Sequence, residues 1–404
     1  MSTDAASDRQ FTFDYDPGEL RCGRGCVADL GDILAARGLD TALVVTGANV
    51  GATPAVMDPV TAGLGDRLAG VFDETTPEKH LRTGLAGARR ARRDGIDALV
   101  AVGSGSSLDV AKVIVALASH EDPAAAAERA IETGTVPVGA DPLPIVAVPT
   151  TLAGADLSVI AGVGLSLDPA ATPAHEIPNG SLSDARLMPT ALCYDPALFE
   201  TTPTSVLTAS AMNGFDKAVE CLYSPYATPV TDATATRALS LMSAGFPTLP
   251  TESMDTDRLY DAVCGVVLAQ YGISTPGTYR ASIIHAFGHG FSHDYDAHQG
   301  VVHGILAPHV LRYVFDQVHA RRDLLAEALG VADGTDPADA VATAVAGVAA
   351  DLGLPAELRA LDGLARDDLS GIAAEIHGDG LMDAAPAGVD PTPAEIRSVL
   401  DAAW

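Results

Sequence analysis

The feature that most constrains this chain is a short apolar run that passes directly into a glycine-serine turn and then into a helical pattern. Residues 98–102 read ALVAV, Gly103-Ser104-Gly105-Ser106-Ser107 follow, and residues 108–118 are periodically apolar. A short apolar run bounded by glycine is the pattern of a strand buried on both faces, as in parallel sheets. Residues 41–46 and 144–149 repeat it, and residues 78–93 read as a helix rich in arginine on one face. Strands alternating with helices predict an α/β domain over residues 11–195. Small residues in the turn let the backbone approach a phosphate. The helix behind them adds unpaired N–H groups and a positive dipole end. Asp109 is placed to cap its first turn. A tight connection without a ligand is the bland reading of the same turn.

A second loop points the same way. Thr150-Thr151-Leu152-Ala153-Gly154-Ala155-Asp156 leaves the strand at 144–149. Adjacent hydroxyls at the carboxyl end of a parallel strand sit where α/β sheets bind ligands, although either threonine also suits a helix cap. Residues 121–142 are rich in Ala, Gly and Pro without a clear period and read as a surface insertion. After Pro203, helical patterns at 205–223, 229–246, 256–271, 280–292, 305–317, 322–329 and 337–352 predict a helical domain over 196–404. Residues 1–10 read as a polar tail.

Charge narrows the partners. The chain of 404 residues has 24 basic and 53 acidic side chains, a net charge of −29. Such a surface repels nucleic acid and anionic membrane. No apolar run reaches the roughly 18 residues of a transmembrane helix. Lysine is nearly absent: only Lys79, Lys112 and Lys217 occur. Acid-rich, lysine-poor composition suits a high-salt cytoplasm, where screening shortens to a few ångström. Lys79 reads as a surface survivor. Five scattered cysteines, Cys22, Cys26, Cys193, Cys221 and Cys264, suit reduced thiols in an intracellular, cytoplasmic protein.

The run GSGSSLDVAK at 103–112 resembles the GGGSxxDxAK motif of the iron-type alcohol dehydrogenase superfamily. PTTLAGAD at 149–156 resembles its PTTxxxGSE loop, and ARLMPTALCYDPAL at 185–198 resembles the segment leading into its helical domain. The resemblance implies a Rossmann-like N-terminal domain, a helical C-terminal domain, an active site in the cleft between them, and a homodimer or larger assembly. It implies a nicotinamide cofactor held by Gly47, Gly103, Ser104, Gly105, Ser106, Ser107, Asp109, Thr150 and Thr151. Most members also bind one divalent metal through an Asp, a His four residues later and two further His.

This chain departs from that ligand set. MNGFDKAVECLYSP at 212–225 puts Asn213 at the Asp position and Lys217 at the first His. His285 keeps the third position. Gln299 falls at the fourth, beside His298. The branch it resembles most is the maleylacetate reductases, which share the Asn and a His matching His303, and which reduce an activated double bond without metal.

Asn213, Lys217 and Glu220 share a helical face at i, i+4 and i+7, and His285, His289 and His293 share another. Hydride addition to a carbonyl or enone develops negative charge on oxygen. The ammonium of Lys217 is expected to replace the metal as its partner, with His285 or His289 giving the proton. Arg280 is a candidate clamp for a substrate carboxylate, and His303 a candidate substrate contact. Thr46-Gly47-Ala48-Asn49 stands where an Asp follows the second strand of NAD-preferring relatives, so NADPH is expected to be accepted. Three alternatives remain at this point. One is a metal-dependent dehydrogenase using His285, His289 or His298 with Asp216. The others are a superfamily lyase or cyclase, and a binding protein without turnover.

Overall fold

The computed structural model describes residues 11–172, 176–275, 277–291, 295, 297–332 and 336–404. The expected tail at 1–10 and the expected helical His293 lie outside the described residues.

Among the described residues eight strands precede residue 195: β1 (Glu19–Cys22), β2 (Ala42–Gly47), β3 (Leu68–Thr75), β4 (Ala98–Gly103), β5 (Ile145–Pro149), β6 (Ile160–Gly164), β7 (Asn179–Ser183) and β8 (Ala191–Tyr194). Six of them form one parallel sheet in the order β1-β8-β5-β4-β2-β3. β6 and β7 make a separate antiparallel pair. The helices of this half are α1 (Leu30–Ala35), α2 (Ala48–Gly51), α3 (Pro54–Leu64), α4 (Leu81–Arg93), α5 (Gly105–Ala118), α6 (Pro123–Thr133) and α7 (Pro196–Phe199).

Every residue of β4 and β5 is buried, because helices cover both faces. Successive side chains alternate. Leu99 and Ala101 join Leu85 and Ile114 of α4 and α5, while Val100 and Val102 join Ile33 and Val60 of α1 and α3. The segment 121–142, expected to be an irregular insertion, contains α6. Asp122 caps it by accepting from the Ala124 and Ala125 amides, and Gly134 ends it at φ 76°. Ala126, Ala127 and Ala130 are its buried face. An alanine face carries little hydropathy contrast, so the period did not show.

The second half is α8 (Thr204–Tyr223), α9 (Pro229–Gly245), α10 (Thr256–Gln270), α11 (Ile283–His289), α12 (Gln299–Gln317), α13 (Arg322–Ala328), α14 (Pro337–Asp351), α15 (Leu369–His377) and α16 (Pro393–Ala402). Among the described residues two short strands, β9 (Ser274–Thr275) and β10 (Thr278–Tyr279), interrupt the helices. Helix α8 is buried from Leu207 to Tyr223 because α9, α10 and α12 surround it. One apolar core runs from the α4–α5 face of the sheet into these helices.

Two helix boundaries differ from expectation in ways that move site residues. α11 begins at Ile283, not residue 280, so Arg280 precedes the helix. α12 begins at Gln299, not residue 305, so Gln299 and His303 ride on one helix. No helix among the described residues is long and apolar enough to cross a membrane.

Candidate active site

The sheet reverses its winding between β2 and β4, the place where an open α/β sheet leaves a crevice at the carboxyl ends of its strands. Gly47 and Gly103 end those two strands. Gly103 has φ 125°, and a Cβ there would lie 3.1 Å from the Ser107 hydroxyl and 3.6 Å from Val50. A Cβ on Gly105 would meet Ala155 at 3.3 Å. The absent side chains therefore open a cradle at the N-terminus of α5. The helix starts at Gly105, so the glycine-serine turn is itself the first helical turn. Ser104 and Ser106 pair at 2.9 Å, and Ser107 pairs with Thr75 of β3 at 3.2 Å. A dinucleotide phosphate fits this cradle of small residues, hydroxyls and free amides.

Asp109 does not cap α5. It lies within the helix, binds the Lys79 ammonium at 2.9 Å and accepts from the Gly162 amide at 3.4 Å. Lys79 is thus part of the site's frame, not a chance surface residue.

The loop after β5 sits beside this cradle, because Pro149 pairs with Gly103. Thr150 and Thr151 are buried and cap no helix. The Thr150 amide donates to Gly103 O at 2.9 Å, and its carbonyl accepts from the Thr202 hydroxyl at 2.7 Å. Two lysines then tie the loop from opposite sides. Lys112 of α5 donates to Ala155 O at 2.9 Å and Ile160 O at 3.0 Å. Lys217 of α8 donates to Ala153 O at 2.6 Å and Gly154 O at 3.2 Å. Burial lowers both ammonium groups to about 8, against the pull of nearby Asp109 and Asp156. All three lysines of the chain therefore serve one neighbourhood.

The third part is built where α8, α11 and α12 meet. Asn213 donates its amide to Gln299 Oε1 at 3.2 Å, joining two of the positions that the resemblance assigns to metal ligands. One turn further along α8 is Lys217, and another turn brings Glu220. The Glu220 carboxylate accepts from the Ser282, Ile284 and His285 amides at 3.0, 2.7 and 3.3 Å, and bonds His285 Nδ1 at 2.5 Å. It caps α11 from another helix, which is why α11 starts late. Burial alone would raise this carboxyl, but His285 and the amide donors hold it below its ordinary value. His285 is buried and its pKa is lowered by burial, with Glu220 opposing. Its Nε2 has no partner among the described residues.

His303 packs edge-on to His285, with ring centroids 4.6 Å apart. It is fully buried. Its Nδ1 lies 3.1 Å from Asp216 Oδ2 without hydrogen-bond geometry. Burial pushes His303 down to about 3 and Asp216 well above the usual carboxylate range.

Two expected residues fall elsewhere. Arg280 is buried and donates to Tyr226 O, Gly272 O and Thr275 Oγ1 at 3.0, 2.6 and 3.1 Å. Its guanidinium pins these loops. The reason is its position before α11, where carbonyls surround it. His289 is 43% exposed and bonds Asp379 at 2.8 Å. His298 caps α12, accepting from the Gly300 amide at 3.3 Å. Lys79, Lys112, Thr75 and Asp379 were not assigned to the site from the sequence. The rarity of lysine was the signal that marked the first two.

A doubly wound nicotinamide-type crevice facing a helical catalytic centre defines a two-domain dehydrogenase. The model of the family described as iron-containing alcohol dehydrogenase matches residues 17–196, and that of its C-terminal part matches residues 207–404. The maleylacetate reductase of Pseudomonas aeruginosa is 29% identical over 366 residues, covering 89% of each chain. The lactaldehyde reductase of Escherichia coli is 26% identical over 397 residues, covering 94% of this chain and 95% of the other. The crystal structure of maleylacetate reductase from a Rhizobium strain superposes with a TM-score of 0.77 at 24% identity, covering 98% of both chains. The chain belongs to the iron-containing alcohol dehydrogenase family and is an NAD(P)-dependent oxidoreductase.

The family's metal does not fit this donor set. Asn213 and Gln299 are neutral amides bound to each other, and Lys217 places a cation at a ligand position. Among the described residues, no group of three or more His, Cys, Asp or Glu side chains is arranged to hold a metal ion.

Proposed function

We propose that this enzyme reduces a small carbonyl or enone substrate, of the maleylacetate type, with NADPH or NADH and without a catalytic metal. The hydrogen bond between Asn213 and Gln299 carries the reading, because it closes two ligand positions against each other. The nicotinamide supplies the hydride. Gly103–Ser107 and the Thr150-Thr151 loop hold its phosphates. Lys217 gives two of its three N–H donors to Ala153 and Gly154, and the third stabilises the oxygen that gains charge. His285 Nε2 delivers the proton, and Glu220 steadies the imidazolium through Nδ1.

Acceptance of NADPH rests on Thr46-Gly47-Ala48-Asn49, the segment that ends β2 and follows it without an acidic residue. A homodimer or larger assembly, a cytoplasmic setting and adaptation of the acidic surface to high salt belong to the same proposal. They rest on the family resemblance, the five free thiols and the charge of −29.

The test is elemental analysis of purified enzyme with turnover measured before and after a chelator. Less than one-tenth equivalent of transition metal with full turnover is expected. One equivalent whose removal abolishes turnover sinks the proposal. That second outcome has one observation in its favour, the unpartnered Nε2 of His285 beside His303.

A further inference from the structure

Cys22 and Cys264 come together from opposite halves of the molecule. Cys22 ends β1 at the carboxyl edge of the sheet, and Cys264 lies within α10, 242 residues later. Their sulfurs are 3.7 Å apart and both side chains are half-buried. A modest approach brings them to the roughly 2 Å of a disulfide.

The pair is also chemically asymmetric. Hydrogen bonds from Cys22 and Tyr260 bring the Cys264 thiol down to about 7, with burial opposing. The same contact, reinforced by burial, raises Cys22. Cys264, with Tyr260 as a second donor, is therefore the more acidic thiol of the pair. Tyr260 is 44% exposed, so the edge of the pair opens to solvent. Cys26 and Cys193 also meet, but Cys193 is buried and its thiol is raised by that contact and by burial, and Cys221 is buried and raised by burial.

We propose that Cys22 and Cys264 form a redox-modification site that closes to an intrachain disulfide by exchange with a low-molecular-weight disulfide. The Cys264 thiolate attacks one sulfur of the reagent, forming a mixed disulfide and releasing one small thiolate. Cys22 then gives up its proton and attacks Cys264 Sγ, releasing the second. Two protein thiols are oxidised, one small disulfide is reduced to two thiols, and the two protons pass to the leaving thiolates.

The bond joins elements that both hold the 149–156 loop. Cys22 pairs in register with Tyr194, whose hydroxyl holds Asp156. α10 packs on α8, which carries Lys217, and Gln270 at its end abuts Gly154. Closure therefore restrains the sheet against the helical half and stabilises the folded chain. This inference is independent of the reduction chemistry proposed above.

The experiment treats the full-length, fully reduced protein with glutathione disulfide and maps its peptides without reduction. The expected result is one linked pair containing Cys22 and Cys264. The thermal midpoint should rise by several degrees and fall back with dithiothreitol. Cys22→Ser should trap glutathione on Cys264, Cys264→Ser should take up none at Cys22, and Cys26→Ser should behave as wild type. The proposal is overturned if both thiols stay alkylatable after prolonged treatment. It is equally overturned if glutathione remains on Cys264 of the wild type, or if Cys22 links to Cys26. The wild-type peptide map decides even where a variant fails to fold.

Discussion

The cofactor crevice and the catalytic centre meet at one loop but are built on opposite principles. At the crevice, Gly47, Gly103 and Gly105 matter for the side chains they lack, and backbone amides face the open space. At the centre, Glu220, His285, Asn213 and Gln299 matter for what their buried polar atoms reach on other helices. A shape-based site tolerates changes in chemistry while the backbone path is kept. A site of buried polar groups tolerates almost none, because each group left without its partner costs free energy. The 149–156 loop links the two, held by Lys112 from one side and Lys217 from the other.

The strongest way to break this comparison is Lys217→Ala. Loss of an oxyanion donor predicts a fall in kcat of about 10²- to 10³-fold. The cofactor Kd, read by fluorescence titration, should stay within a factor of about three, less than 1 kcal/mol. Intact turnover would reduce Lys217 to a loop tether. The same residue sets a pH limb. Lys217 is charged below about 8, so the decline of reductive kcat that His285 begins at lower pH should steepen as pH rises through about 8. Lys217→Arg, which stays charged, should lose that limb.

Glu220→Gln comes next. It keeps the shape but removes the charge beside His285, so kcat should fall about 10²-fold with KM little changed. Breaking a buried pair also predicts a loss of roughly 3–5 kcal/mol in urea unfolding. A stability loss with normal kcat would make Glu220 only a helix cap.

Gly103→Ala tests the crevice. A Cβ at φ 125°, 3.1 Å from Ser107, should weaken cofactor binding about tenfold, near 1.4 kcal/mol, and leave kcat at saturation nearly unchanged. The smallest effect is expected for Asp379→Asn. Its partner His289 is 43% exposed, so turnover should change less than about twofold. A large loss there would return His289 to the list of proton donors.

Much of the crevice was legible from the chain alone. The strands containing residues 41–46 and 98–102, the Gly-Ser turn and the Thr-Thr loop are local patterns, and local patterns fix local backbone. α6 was less legible because alanine contrasts weakly with its neighbours, although Asp122-Pro123 and Gly134 are cap signals. The centre was legible only in part. Spacing placed Asn213, Lys217 and Glu220 on one face, but spacing within a helix says nothing about the helix opposite.

The sequence by itself determined the parallel sheet, the phosphate turn and the loss of the usual ligands at 213, 217 and 299. Only the tertiary structure decided which polar groups meet. It paired Asn213 with Gln299, gave Glu220 to His285, turned His289 to Asp379 and enclosed Arg280 among carbonyls. The physical reason is range. Strand and turn preferences act over a few residues, whereas a buried polar atom must find its partner wherever the packed helices bring one.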